Sequence, residues 1–243
     1  MRVKDVGTLS SMIEVKPNTL VVYGDIGCPW SHLAVYRLHK ARRLAGLEEA
    51  LAFDVRSFPL ELFNDRPTPK HILTAEIPVA GGLDPEAGWS LWADHPGKWP
   101  VTMLPPMEAV YAAKEQGLGP ADRFDRALRV AFFRDSRCVS MHHEIVAVAS
   151  DVDGLDANEI DRALVAGRFR HKIFDDMQIA KDNDVQGSPQ VFLSDGSDAH
   201  NPGMEMHWED EDEGIGFPVI DRDDPSVYDR LVRRAVGKGA DDG

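Results

Sequence analysis

Leu20-Val21-Val22-Tyr23 followed by Gly27-Cys28-Pro29-Trp30-Ser31 is the stretch that decides the fold. The first four residues are apolar and β-favouring, so they read as a short buried strand. Pro29 suits the first position of a helix, where a missing N–H leaves nothing unsatisfied. From there Leu33, Ala34, Tyr36, Leu38, Ala41 and Leu44 recur close to a 3.6-residue period, and Gly46 ends the helix. Leu51 to Phe58 then alternates apolar with polar residues and predicts a second strand. Strand, helix and strand make a βαβ unit, whose two strands run parallel. Cys28 sits at its turn, where the free N–H groups and the positive end of the helix dipole favour a thiolate. A buried, inert cysteine would fit the local pattern as well.

The rest of the chain extends this frame. Residues 59–105 are rich in Pro, Gly, Trp and polar residues and read as a long irregular segment, with Trp89, Trp92 and Trp99 packed on something. Five helices are expected at Met107–Gln116, Asp122–Phe133, His142–Ala149, Ala157–Val165 and Phe169–Asp182. Asp156 and Glu159 form a candidate capping box for the fourth. Gln190 to Leu193 reads as a strand that pairs with Met204–Trp208 as a hairpin, and Tyr228–Val236 as the closing helix. Glu209 to Glu213 is an acidic run expected in a solvated loop. The order is βαβ, a helical block, then ββα: an α/β protein whose sheet is split by an all-helical insertion.

Composition bounds the function. The chain has 243 residues, 43% hydrophobic, enough for a full core. A net charge of -14 argues against nucleic acid and anionic membrane surfaces, which reward positive charge. No apolar stretch is long enough to span a bilayer or act as a leader, so a cytoplasmic location is expected. Two cysteines, Cys28 and Cys138, are too few for a secreted disulfide scaffold or a cysteine-rich zinc site. Asp151 to Asp156 fails the calcium-loop spacing, and His142, His143, His200 and His207 have no metal-ligand spacing, so no metal is expected. The preference for Arg, Asp, Ala and Gly over Lys and Asn points to a GC-rich bacterial genome.

Gly187-Ser188-Pro189 leads directly into the strand at Gln190, and proline is tolerated in a sheet only at such margins. With Cys28-Pro29-Trp30-Ser31 and the helical insertion, it makes the chain resemble the DsbA-like branch of the thioredoxin superfamily over roughly residues 19–236. The FrnE-type oxidoreductases are the nearest in pattern. They are related to 2-hydroxychromene-2-carboxylate isomerases and kappa-class glutathione transferases, and Phe132-Phe133-Arg134-Asp135-Ser136-Arg137 resembles a segment of all three.

The resemblance implies a thioredoxin-like fold made of residues 19–58 and 185–236. Residues 59–184 would be the insertion, 1–18 a leader and 237–243 a flexible tail. It implies Cys28 as nucleophile, Pro189 as a cis-proline and Ser188 as the residue offering its backbone to substrate. Pro29, Trp30 and His32 complete the candidate set. His32 sits one turn after Cys28 on the same helix face, where a charged ring would lower the thiol pKa or a surface histidine would simply stand. Trp30 either shields the thiol or belongs to the core. Asp25 is a candidate proton acceptor or turn residue. The family's second motif cysteine is replaced by Ser31, so exchange must proceed as a monothiol. Glutathione or mycothiol would resolve the mixed disulfide, with Cys138 as a candidate resolving thiol. No tightly bound cofactor is expected, and the protein would be a monomer or homodimer. A thiol-dependent isomerase or transferase acting on an aromatic substrate, and a redox-inactive binding protein, are the alternatives on this scaffold.

Overall fold

The computed structural model describes residues 13–210 and 216–237. Most of the expected leader, the last three residues of the acidic run and nearly all of the tail lie outside them. Strand β1 (Thr19–Gly24) leads through a tight turn into α1 (Pro29–Leu44) and then β2 (Ala52–Ser57). β1 and β2 pair in parallel, from Thr19 opposite Ala52 to Gly24 opposite Ser57. β3 (Gln190–Phe192) adds antiparallel to the other side of β1, and β4 (Asp198–His200) adds antiparallel to β3. The sheet order is therefore β2-β1-β3-β4.

Alternation along β1 divides the core. Leu20 and Val22 face α1 and the closing helix α9 (Ser226–Ala235), against Val35, Leu38, Tyr228 and Val232. Val21 and Tyr23 face the opposite side, against Phe58, Ala180 and Val185. Six further helices fill the interval between β2 and β3: α2 (Leu60–Phe63), α3 (Lys70–Leu83), α4 (Leu104–Lys114), α5 (Leu118–Phe133), α6 (His142–Ser150) and α7 (Ala157–Val165). An eighth, α8 (Arg170–Asp182), returns the chain to the sheet. Phe124, Leu128, Phe133, Ile145, Ile160 and Ile173 make the centre of their own core.

Three expectations are corrected. The segment 59–105 is not irregular throughout, because it contains α2 and the 14-residue α3. Pro78, Gly81 and Gly82 lie inside α3 and disguised its period, yet Leu73, Ile77 and Ala80 form the buried stripe of a helix. The partner of β3 is β4, not Met204–Trp208. Asp195 accepts from Ser197 N at the Gly196 turn (φ 84°), which returns the chain at once to Asp198. β5 (Met204–Glu209) pairs instead with β6 (Phe217–Asp223), an unforeseen strand, in a separate two-stranded sheet. In the expected capping box, Asp156 accepts from Asn158 N, but Glu159 turns to Arg162 and Gln116 takes the Asp156 N–H.

The first part of α1 is buried on every side, from Pro29 to Leu38. It lies between the sheet and the insertion. Even Arg37 is enclosed, gripping Asp223 of β6 with two nitrogens and Asp84 with a third. Leu44, counted on the apolar face, is exposed. No helix among the described residues is long and apolar enough to cross a membrane.

Candidate functional site

Cys28 caps α1 with extended backbone angles (φ -88°, ψ 119°), and Pro29 follows as the first helical residue. Its Sγ donates to Ser188 O across 3.2 Å, on the loop entering β3. The Ser188–Pro189 bond is cis. Asp25 ties this junction together. Its carboxylate accepts from Gly27 N (2.7 Å) and Leu60 N (2.9 Å), and its own N–H donates to Ser188 Oγ (2.8 Å). Its carbonyl accepts from Arg129 Nη1 (2.7 Å). Both carboxylate oxygens are thus committed to backbone, and burial raises the acid to about 6. The turn role of Asp25 is the one the geometry displays.

Arg129 is fully buried and also holds Asp125 through Nε (2.7 Å) and Nη2 (3.1 Å). Helix α5 of the insertion therefore fixes the turn that presents Cys28. Ser31 is fully buried too, and its Oγ has no hydrogen-bond partner. A Cβ placed on Gly24 would collide with that Oγ, so the hydroxyl points into the protein toward β1.

His32 does not serve the thiol. Its Nε2 lies 3.2 Å from Gly88 O, and its ring stacks on Phe133 and meets Trp89 edge-on. Burial, with the nearby Arg129 charge, lowers its pKa to about 3, so it is a neutral core residue. The expected lowering of the Cys28 pKa is overturned with it. Burial first, and the Glu76 carboxylate second, push the thiol up to about 12, against weaker help from Ser188 and the Ser31 backbone. A helix dipole amounts to about half a charge and does not outweigh full desolvation. In the ligand-free protein, alkylation of Cys28 by iodoacetamide is therefore expected to rise about tenfold per pH unit beyond pH 8.5. A plateau at or below that pH would contradict the burial argument.

The cleft over Cys28 has a volume of about 340 Å³. Pro29, Trp30 and Ser188 line it beside the thiol, with Leu60, Asn64, Thr68, Ile72 and Glu76 from the first two insertion helices and the loop between them. Asn201, and Met206 and Trp208 of β5, complete the wall. Trp30 donates its Nε1–H to Glu76 Oε1 at 2.8 Å, so it positions an acid as well as shielding sulfur. Glu76, the Met206–Trp208 edge and Arg129 were not foreseen. The one sequence signal for Glu76 is an acid set among the apolar positions of the α3 stripe.

Burial raises Glu76 to about 7 from 4.5. Between those values the folded protein keeps a proton that the unfolded chain has lost. Stability from this group is present below about pH 4.5 and is lost as pH rises to about 7. Glu76→Gln is expected to flatten that fall and to gain up to about 3 kcal/mol over wild type at pH 8. Urea unfolding at pH 4.5 and pH 8 reads this, and equal pH slopes for both proteins would refute it.

Cys138 opens on another cavity of about 370 Å³ with Lys98, Val101, Met141 and His143, and shares no lining residue with the Cys28 cleft. Its Sγ lies 3.2 Å from Ser140 Oγ. Both cysteines are free. No group of three or more metal-binding side chains is gathered among the described residues.

Residues 94–210 match the family model of the DSBA-like thioredoxin domain. That stretch is similar to a DsbA-like thioredoxin domain. The match takes in the insertion from residue 94 onward and the Ser188–Pro189 loop, while the Cys28 motif, α2 and α3 lie upstream of it. Among solved structures, the chain is similar to a probable DsbA oxidoreductase from Streptomyces coelicolor (20% identity, TM-score 0.60, 91% of each chain covered). It is also similar to the cytosolic disulfide reductase DsbM from Pseudomonas aeruginosa, solved with GSH (17%, TM-score 0.57, 73% of this chain and 86% of that one). A 2-hydroxychromene-2-carboxylate isomerase is similar at 16% identity and TM-score 0.57, covering 91% of this chain and 100% of its own. At these identities the likeness is one of fold. No curated protein matches the sequence.

Proposed function

We propose that this DsbA-like protein is a monothiol thiol–disulfide oxidoreductase, with Cys28 as nucleophile and a small thiol as resolving partner. The observation that carries the reading is the placement of Cys28. Its sulfur lies at a helix N-terminus, on the wall of a cleft, against the Ser188 carbonyl. Attack on a disulfide forms a bond from Cys28 Sγ to one sulfur and expels the other as thiolate. The Ser188 backbone, which lines the cleft beside the sulfur, would receive an extended substrate. Ser31 supplies no second sulfur, and Cys138 faces a different cavity, so release falls to a thiol from solution. The neighbour solved with GSH fits that role for a small thiol, and two free cysteines fit a reducing compartment such as the cytoplasm.

Incubation with bis(2-hydroxyethyl) disulfide, followed by peptide mass mapping, tests the reading. One dithiothreitol-reversible mercaptoethanol adduct on Cys28 is expected. Modification of Cys138 alone, with Cys28 untouched, would overturn it.

A further inference from the structure

Glu76 is a buried acid with no cation. It is 8% exposed and shares the cleft wall with Cys28. Its one hydrogen-bond partner is neutral, the indole of Trp30. Other buried acids here are answered: Asp125 by Arg129, Asp122 by Arg42, Glu108 by Arg170, Asp25 by backbone amides, and Asp176, also without an ion pair, by Ser57 N and the Tyr111 hydroxyl. An unpaired carboxylate is expensive to bury, and at a cleft wall the missing partner can come from a ligand. The rest of the cleft agrees in sign. No Lys or Arg lines it, so a thiol bearing carboxylates would find no countercharge. Trp208 lines the same wall.

We infer that the cleft selects thiols and disulfides that carry an ammonium group close to sulfur, Glu76 receiving the ammonium as Cys28 receives the sulfur. The inference rests on Cys28 exchange as proposed above. The reaction is balanced without any further reagent. The Cys28–substrate S–S bond forms as the substrate S–S bond breaks, and the departing aminothiolate takes the electron pair and the proton that Cys28 gave up. The ammonium acts on the nucleophile as well. It cancels the Glu76 charge that opposes ionisation of Cys28, and adds a positive charge that favours it. The substrate thereby supplies the activation that His32 does not.

Three disulfides of near-equal size test this: cystamine (cationic), bis(2-hydroxyethyl) disulfide (neutral) and 3,3′-dithiodipropionate (anionic). Rates of Cys28 adduct formation are divided by rates on an unstructured cysteine peptide, which removes intrinsic reactivity. The expected order is cystamine, neutral, anionic, with about tenfold or more separating the first from the second at low salt. In Glu76→Gln the cystamine-to-neutral ratio falls toward that of the peptide. A cystamine-to-neutral ratio unchanged in Glu76→Gln would trace the preference to the net charge of -14 and overturn the role of Glu76. Equal normalised rates for all three would overturn the inference and leave Cys28 exchange intact. No adduct on Cys28 from any of them would overturn the exchange reading, and this inference with it.

Discussion

Cys28→Ser is expected to abolish disulfide exchange, lowering the catalysed rate by on the order of 10³-fold or more, whereas Cys138→Ser keeps the wild-type rate. A serine hydroxyl is not ionised near neutral pH and cannot form a disulfide, so no weakened pathway remains. The two cysteines open on separate cavities, so loss of one sulfur leaves the surroundings of the other intact. The assay follows oxidised dithiothreitol as bis(2-hydroxyethyl) disulfide is consumed, above the uncatalysed background. Full activity in Cys28→Ser, or loss of activity in Cys138→Ser, would move the chemistry away from the α1 N-terminus.

Arg129→Ala is expected to destabilise the protein by about 3–5 kcal/mol, because it leaves the Asp125 carboxylate buried and unpaired. It also removes the donor to Asp25 O, which steadies the turn carrying Cys28. Urea unfolding measures the first effect. Replacing Asp125 by Leu in the same chain should return part of the loss, since the stranded charge goes with it. The second effect is read by Cys28 alkylation, expected to quicken as the turn loosens and sulfur gains solvent. A loss below about 1 kcal/mol would mean that the Arg129–Asp125 pair adds little, as an exposed pair would.

The parallel pair β1–β2 was legible because both strands obey local rules. Leu20–Tyr23 is short, apolar and bounded, and Leu51–Phe58 alternates; the ladder joining them spans Thr19–Gly24 and Ala52–Ser57. Helix α3 was hidden by Pro78 and a glycine pair, whose local preferences are overruled by the burial of Leu73, Ile77 and Ala80. The β3 partner was misread because the apolar Met204–Trp208 looked the better strand, while the tight turn at Gly196 delivers the polar Asp198–His200 first. At the candidate site, the meeting of the Cys28 turn with the Ser188–Pro189 loop was expected from the two motifs together. The environment of the sulfur was not. His32 is one turn from Cys28 in sequence, but Phe133 and Trp89 claim its ring, and Glu76 reaches Trp30 from a separate helix. Such long-range placements decide the charge around the thiol, and no local spacing encodes them.

The central claim is that Cys28 works alone and depends on a second thiol for release. The most direct measurement is to form the Cys28 mixed disulfide with cystamine, remove free reagent, and follow the intact mass with and without added cysteamine. The adduct is predicted to persist without thiol and to be released as cysteamine is added, with no internal disulfide formed. Spontaneous release, accompanied by a mass two hydrogens below the reduced protein and a Cys28–Cys138 crosslink, would contradict it.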